Sequence, residues 1–350
     1  MRAAFMTGRN AVELRDTGEP ALDPRGAVLR VEACGVCGTD ARTFFNGDYR
    51  APSPWILGHE PVGVLERVGA EAALPPGVKE GDRVFLGSIL TCGDCQQCSE
   101  GFQNLCEHHL LYGYEPFPGA FAELAAVPPI AVKNLIPIPH DLPSDLATVV
   151  DPFACALNGI EVLDVRLGDT VLILGSGPIG CWQAVMARDR GAGKVYLCDV
   201  SRERLDVALG AVGRFVDDAF LAGEDNGIAE LLGRTSGAGA ERISVAAPSK
   251  QAQQASLEMA AKRARVVYFA GLPKHDPVSA LDMNQLHYKE LAILGAYGAT
   301  RRQYRITMDY LNRRRDDLAA VVTHRFPLDR IAEAFETIRA GAGLKMVIQP

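Results

Sequence analysis

The chain has 350 residues, 48% of them hydrophobic and 23% charged, with a formal net charge of −7 at neutral pH. That length is too great for one comfortable core and predicts two domains, and the acidic balance lacks the basic footprint of a nucleic-acid binder. No uninterrupted apolar run reaches membrane-spanning length, and the opening "MRAAFMTGRN" lacks the apolar core of a signal peptide, so a cytosolic protein with neither nucleic acid nor membrane as partner is expected.

The first 150 residues are rich in Gly and Pro and carry short β-like segments, such as 27–33 and 62–69. Many short strands between turn signals predict a barrel or sandwich. "CGVCGTD" supplies Cys37, and "LGHEPVG" supplies His59 and Glu60. A catalytic zinc keeps one position for water or substrate and so needs about three protein ligands; Cys37 and His59 are two of the right types. Taken singly, His59 reads as a satisfied core histidine and Cys37 as a small core residue.

Four of the nine cysteines, Cys92, Cys95, Cys98 and Cys106, form C-x2-C-x2-C-x7-C. Four thiolates on one short loop suit a tetrahedral zinc with no open position, hence a structural one; an iron–sulfur cluster is the alternative. Further on, "VVDPFACAL" places Asp151 and Cys155 in an apolar run, where a carboxylate and a thiol each need a reason.

From about residue 167 apolar strand candidates alternate with helical patterns: 170–174, 194–198, 214–216, 242–246, 265–269 and 291–295. The alternation predicts βαβ units, a parallel sheet covered on both faces, and the strand count of a dinucleotide-binding fold. "GSGPIG" (175–180) lies between the first of these strands and a helix bearing Ile179, Trp182 and Met186 on one face. Gly175 permits the tight turn, Gly177 the close approach of a pyrophosphate, and Gly180 the packing of helix on strand. Asp199 ends the next strand, where an acidic side chain accepts from the adenosine ribose and repels a 2′-phosphate, favouring NAD over NADP; a helix-capping aspartate beside Ser201 is the plain alternative. After Gly298 the texture changes again. Tyr304, Met308 and Leu311 give one helix an apolar face, and Ile331, Ala334, Phe335 and Ile338 give another, which Gly341 can end.

Taken together, "CGVCGTD", "GHEPVG", the four-cysteine lobe, "GSGPIG" and "LHYKELAILGAYG" (286–298) resemble the zinc-dependent medium-chain alcohol and polyol dehydrogenases, in order and over almost the whole chain. The resemblance implies an α/β protein with a GroES-like β-barrel catalytic domain (1–152 and 298–350) and a Rossmann NAD-binding domain (153–297) with a six-stranded doubly wound parallel sheet. It implies two zinc ions per chain. Cys37 and His59 would hold the catalytic one, Glu60 would lie next to them, and Asp151 would occupy the slot filled by an acidic residue before proline in sorbitol-type relatives. Cys155 lies four residues past that slot, in a helix-like segment. Cofactor contacts would come from Gly175, Gly177, Pro178, Ile179, Gly180, Asp199 and Arg204. Thr39 matches the hydroxyl that passes the substrate proton, but Arg42 stands where many relatives carry the histidine that finishes the relay.

Threonine dehydrogenases are similar in "CGTD" and the four-cysteine lobe. They carry a histidine where Ile89 stands here and "YGR" where Tyr297, Gly298 and Ala299 stand. Sorbitol dehydrogenases place an arginine at the position of Gly298. "HYKELAILGAYGAT" looks closer to bacterial polyol and cyclitol dehydrogenases. The expected activity is therefore NAD-linked interconversion of a secondary alcohol and a ketone on a polyol, sugar or cyclitol, with L-threonine 3-dehydrogenase as the alternative. Arg42, Arg301 and Arg302 add the hypothesis of a phosphorylated substrate, against their being ordinary solvated arginines. Two other classes compete: a zinc-independent reductase of activated C=C bonds, and a non-catalytic zinc- or NAD-binding protein on the same fold. A homodimer or homotetramer, joined through the edge strand "ELAILGA", is implied by the resemblance.

Overall fold

Short apolar runs separated by turns build the first of two units, Met1–Ala154 with Gly298–Pro350, in the computed structural model, which describes residues 1–350. Its main sheet has seven strands. Six run in the order Leu135–Pro137, Arg83–Leu86, Glu60–Val68, Ala27–Val36, Lys345–Gln349 and Val322–Pro327, and Leu124–Val127 also pairs with Ala27–Val36. A second sheet, of three strands, contains the N-terminal hairpin Arg2–Gly8 and Ala11–Asp16.

Ala27–Val36 lies centrally and is buried along most of its length, so its sequence reads as a nearly continuous apolar run. Register on its two sides positions the chemistry that follows. On one side Gly35 pairs with Glu60, and on the other Val36 pairs with Met346, the neighbour of Lys345. The last strand of the chain thus lies beside the strand that leads into Cys37.

The helix Arg301–Arg313 buries Tyr304, Met308 and Leu311, and it starts with a capping box in which Thr300 and Gln303 satisfy each other's backbone N–H groups. Ile331–Ala340 buries Ile331, Ala334 and Phe335 and stops at Gly341, whose φ of 66° is the left-handed conformation that ends helices. The stretch Ser144–Leu163 is apolar and long enough to cross a membrane by composition, but most of it is buried inside the protein, as core helices are.

The second unit, Cys155–Tyr297, is a six-stranded parallel sheet in the order Asp218–Leu221, Lys194–Asp199, Thr170–Leu174, Ala240–Val245, Ala260–Tyr268, Ala292–Gly295. Strand order reverses beside Thr170–Leu174, the place where doubly wound sheets bind ligands. One expected strand is misplaced. Residues 214–216 are not a strand: Gly213–Phe215 is a 3-10 turn, and the strand is Asp218–Leu221. Phe215 is buried from that turn, and Asp217 is held at the strand's mouth by bonds to the backbone of Val195. The apolar run therefore plugs the core, and pairing starts only after it.

Candidate functional site

Cys37 is the N-cap of the helix Gly38–Asn46, which follows the central strand directly. Three residues on, Asp40 is fully buried and does two things: one carboxylate oxygen accepts the Cys37 backbone N–H at 3.0 Å, and the other meets His59 Nδ1 at 3.0 Å. A carboxylate can only accept, so Nδ1 carries a proton and Nε2 is the atom left for a metal, which would displace any proton held there. Burial works against a charged imidazole here, but the charge and hydrogen bond of Asp40, with Cys37 behind them, outweigh it and raise the His59 pKa well above the usual value.

Ligand atoms of Cys37, His59 and Glu60 all lie within 4.8 Å of one another, a spacing that fits one ion. His59 and Glu60 are buried and Cys37 is half-buried. Glu60 forms an ion pair with Lys345, itself 2% exposed, while Glu60 Oε1 is buried with no hydrogen-bond partner. An unpartnered buried carboxylate oxygen beside a thiol and an imidazole is the donor set a zinc site requires. Burial pushes the Glu60 carboxyl up, against the pull of Lys345 and His59.

Asp151 lies in the first turn of the helix Val150–Leu163, buried, with Oδ1 accepting the Ser88 hydroxyl at 2.7 Å. It is outside the three-residue group, yet its charge is felt at both Glu60 and Lys345. Cys155 is on the same helix and only half-buried. Thr39 sits in the first turn after Cys37, and its hydroxyl accepts from Arg42 Nη2 at 3.3 Å; Arg42 is otherwise exposed. Arg301 is half-buried and Arg302 exposed at the start of their helix.

The four lobe cysteines converge. Sγ–Sγ distances of 3.4 Å (Cys92–Cys106), 3.9 Å (Cys92–Cys98) and 3.9 Å (Cys95–Cys106) bracket the separation of about 3.8 Å expected for thiolates around one tetrahedral zinc. A multi-iron cluster spreads its cysteines over several metal atoms and holds them further apart. Backbone N–H groups of Cys92, Cys95 and His108 point at the sulfurs, and bonds from the backbone of Cys98 and Glu107 draw the Cys95 thiol down to about 6.

In the second unit Gly175 has φ 110° and Gly180 packs so closely on the turn that a Cβ would overlap Gly175's carbonyl. Gly177 caps the helix Pro178–Asp189 with open space at the position of its missing Cβ, and Pro178 and Ile179 begin that helix. Asp199 is 7% exposed and more committed than its place in the motif suggests. One oxygen accepts both the N–H and the hydroxyl of Ser176, at 2.7 and 2.9 Å, and the other accepts Ser201 N–H at 3.1 Å. Ser201, not Asp199, caps the next helix; Arg204 lies exposed in its first turn.

Sequence reasoning passed over Asp40, Ser88 and Lys345. Asp40 could have been found, since it stands three residues after Cys37, the spacing of a capping box. Ser88 and Lys345 could not, because each meets its partner across a long stretch of chain.

Comparison with known proteins agrees with this layout. The family model of the alcohol dehydrogenase GroES-like domain matches residues 23–140, and that of zinc-binding dehydrogenases matches 178–313. An L-threonine 3-dehydrogenase of Anaeromyxobacter dehalogenans is 33% identical over 341 residues, covering 95% of this chain and 93% of its own. A structure described as a zinc-binding dehydrogenase of Sinorhizobium meliloti bound to NADP superposes with TM-score 0.88 at 25% identity, over 100% of this chain and 99% of that one. An alcohol dehydrogenase of Thermus sp. ATN1 does so with TM-score 0.85 at 27% identity, over 100% and 99%.

Proposed function

The chain belongs to the zinc-dependent medium-chain alcohol dehydrogenase family, and from that premise we propose that it interconverts a secondary alcohol and a ketone on a polyol, sugar or cyclitol, with two zinc ions per chain and NAD as hydride carrier. The observation that carries the reading is the buried Cys37–His59–Glu60 group with an unpartnered carboxylate oxygen, which a non-catalytic relative has no reason to keep.

Cys37 and His59 would hold the catalytic ion, with Asp151 at the third protein position and Glu60 adjoining. When bound, the metal would supply Lewis acidity toward the substrate hydroxyl, and the nicotinamide a hydride acceptor. Asp40 fixes the His59 ring. Thr39 Oγ1 receives the substrate proton and passes it outward past Arg42. Gly175, Gly177, Pro178, Ile179 and Gly180 would receive the pyrophosphate, and Asp199 and Arg204 the adenosine ribose, with the Asp199 charge favouring NAD over NADP. The four lobe cysteines would hold the structural zinc.

The substrate class is supported by two buried apolar residues. Ile89 (8% exposed) and Ala299 (1% exposed) stand where threonine dehydrogenases carry a histidine and an arginine. Gly298, at φ 59°, is in a conformation that side chains disfavour, and a Cβ there would come within 2.7 Å of Ile89 Cδ1, so the arginine of sorbitol dehydrogenases would require the Ile89 side chain to shift. A screen of polyols, cyclitols, their phosphates and L-threonine, read by NAD(H) absorbance, tests the reading. Turnover of a polyol or cyclitol is expected, and robust threonine turnover instead would overturn the ranking, in line with the 33% identical relative. If the phosphate ester is preferred, Arg42→Ala and Arg301→Ala should remove the preference. Metal analysis should give two zincs per chain, falling to one in Asp151→Ala and staying at two in Cys155→Ala; the reverse pattern would show that the thiol is the ligand.

A further inference from the structure

Three buried oxygen-bearing side chains meet from distant parts of the first unit. Ser88, Tyr304 and Asp151 are 2%, 1% and 6% exposed. The Ser88 hydroxyl donates to Asp151 Oδ1 at 2.7 Å and lies 3.4 Å from the Tyr304 hydroxyl. A hydroxyl has one hydrogen. Ser88 spends its own on the carboxylate, so the remaining contact has one direction: Tyr304 donates to Ser88, and Ser88 to Asp151.

Both hydroxyls are held in place. Asn134, itself buried, donates to the carbonyls of Gly87 and Ile89 at 3.4 and 2.7 Å, one on each side of Ser88. Its own carbonyl accepts Gly87 N–H at 3.2 Å, and the Ser88 carbonyl accepts Tyr112 N–H at 2.9 Å. The Tyr304 ring packs on Phe85 with centroids 5.5 Å apart, over Gly87, where a Cβ would come within 2.8 Å of the ring. A side chain at 87 would push the ring away from Ser88. Asp151 is outside the compact Cys37–His59–Glu60 group, so its reach toward an ion depends on what orients it.

We propose that Ser88 and Tyr304 are positioning residues for the catalytic metal, a hydroxyl chain that engages Oδ1 of Asp151 and reserves Oδ2 for the ion. This rests on Asp151 being the third protein ligand, as read above. The chain starts on the helix Arg301–Arg313, so the segment that completes the first unit also orients a ligand supplied by its earlier part. A buried carboxylate without this partner would turn both oxygens toward other groups, and the metal would lose a ligand of fixed direction.

The test is metal affinity without substrate. The full chain is loaded with cobalt and titrated with 1,10-phenanthroline, and the visible spectrum is followed with the four-cysteine lobe as internal reference. Ser88→Ala should weaken the catalytic site by about tenfold or more, the scale on which residues behind a ligand act, and shift its visible bands. The lobe should be unchanged, and Ser88→Thr should restore affinity and bands. Tyr304→Phe, which keeps the ring, should weaken the same site by a smaller factor, and it decides the matter if Ser88→Ala fails to fold. Combined with Ser88→Ala it should add less than about twofold, because Tyr304 acts only through Ser88. Unchanged affinity in either single variant, or losses that multiply in the double variant, would overturn the proposal and leave the ligand reading intact. Two metals retained in Asp151→Ala would overturn both.

Discussion

The guanidinium of Arg42 donates to Thr39 Oγ1 at 3.3 Å, and a guanidinium neither accepts a proton nor releases one in any pH range where the protein is folded. If Thr39 passes the substrate proton as proposed, it would hand it to solvent instead of to an imidazole. The pH profile of kcat/KM should then show no relay histidine, whereas Arg42→His should introduce a new inflection at about 6–7, the ordinary range of an exposed histidine. Its sign is fixed, because only the neutral imidazole accepts a proton: activity of the variant should drop below that pH. Superimposable profiles for the two proteins would remove Thr39–Arg42 from the proton path. Asp199 makes the second residue-scale case. The ribose role proposed for it rests on its position after the second strand, whereas its three bonds to Ser176 and Ser201 could not be read there, since Ser176 stands 23 residues earlier. Asp199→Ala should thus do two separable things. It should raise the NADP-to-NAD ratio of kcat/KM, and it should cost about 1–3 kcal/mol in denaturant unfolding by stranding the buried Ser176 N–H. A stability loss with an unchanged cofactor ratio would make Asp199 a purely structural residue.

Among the elements, the segment 213–221 shows where pattern reading fails and what replaces it. Arg214, Phe215 and Val216 have strand-like composition, yet Phe215 is used as a plug, and the structural weight falls on Asp217. That carboxylate accepts Val195 N–H at 2.8 Å, pairs with Arg188 on the helix Pro178–Asp189, and meets Lys194 at 3.3 Å. Partial burial alone would raise its pKa, but these three partners outweigh it, and the pKa lies below that of a free aspartate. A carboxylate depressed in the folded state stabilises above its unfolded pKa and loses that contribution as pH falls through the folded value. Asp217→Asn should accordingly lower the urea midpoint at pH 7, and the gap to wild type should shrink as pH drops below about 4. A gap that is constant from pH 7 to 3 would mean that packing, not charge, is what the substitution disturbs. The four-cysteine lobe behaves in the opposite way. Its ligands are close in sequence, so its convergence was readable from spacing alone.

For the whole molecule, legibility follows the distance over which partners meet. The parallel sheet was readable because each βαβ unit is local and right-handed by default, and five of its six strands fall where the apolar runs lie. The catalytic cluster was readable as far as its own motifs extend, through Cys37, His59 and Glu60. It was not readable where Lys345 arrives from 285 residues away along an antiparallel pairing that no local period encodes. The same scale governs association. Both margins of the six-stranded sheet are unpaired within the chain, and they differ in chemistry. Asp218–Leu221 is bordered by Asp217, Asp218 and Arg234 in ion pairs, the charged dressing that discourages edge pairing. The helix Met283–Lys289, which leads into Ala292–Gly295, exposes Met283 and Tyr288 (61% and 76%), and Tyr297, which follows the strand, is 55% exposed. An open edge strand with large exposed apolar side chains close to it in sequence is the chemistry through which association with a second chain is predicted. A second copy would meet it with the same residues, antiparallel across a two-fold axis, extending two six-stranded sheets into one. Light scattering should therefore give at least a dimer at micromolar concentration, and Tyr288→Glu combined with Leu294→Lys should release monomers that retain both zincs. A wild-type monomer, or a dimer indifferent to those two charges, would assign the association to some other face of the protein.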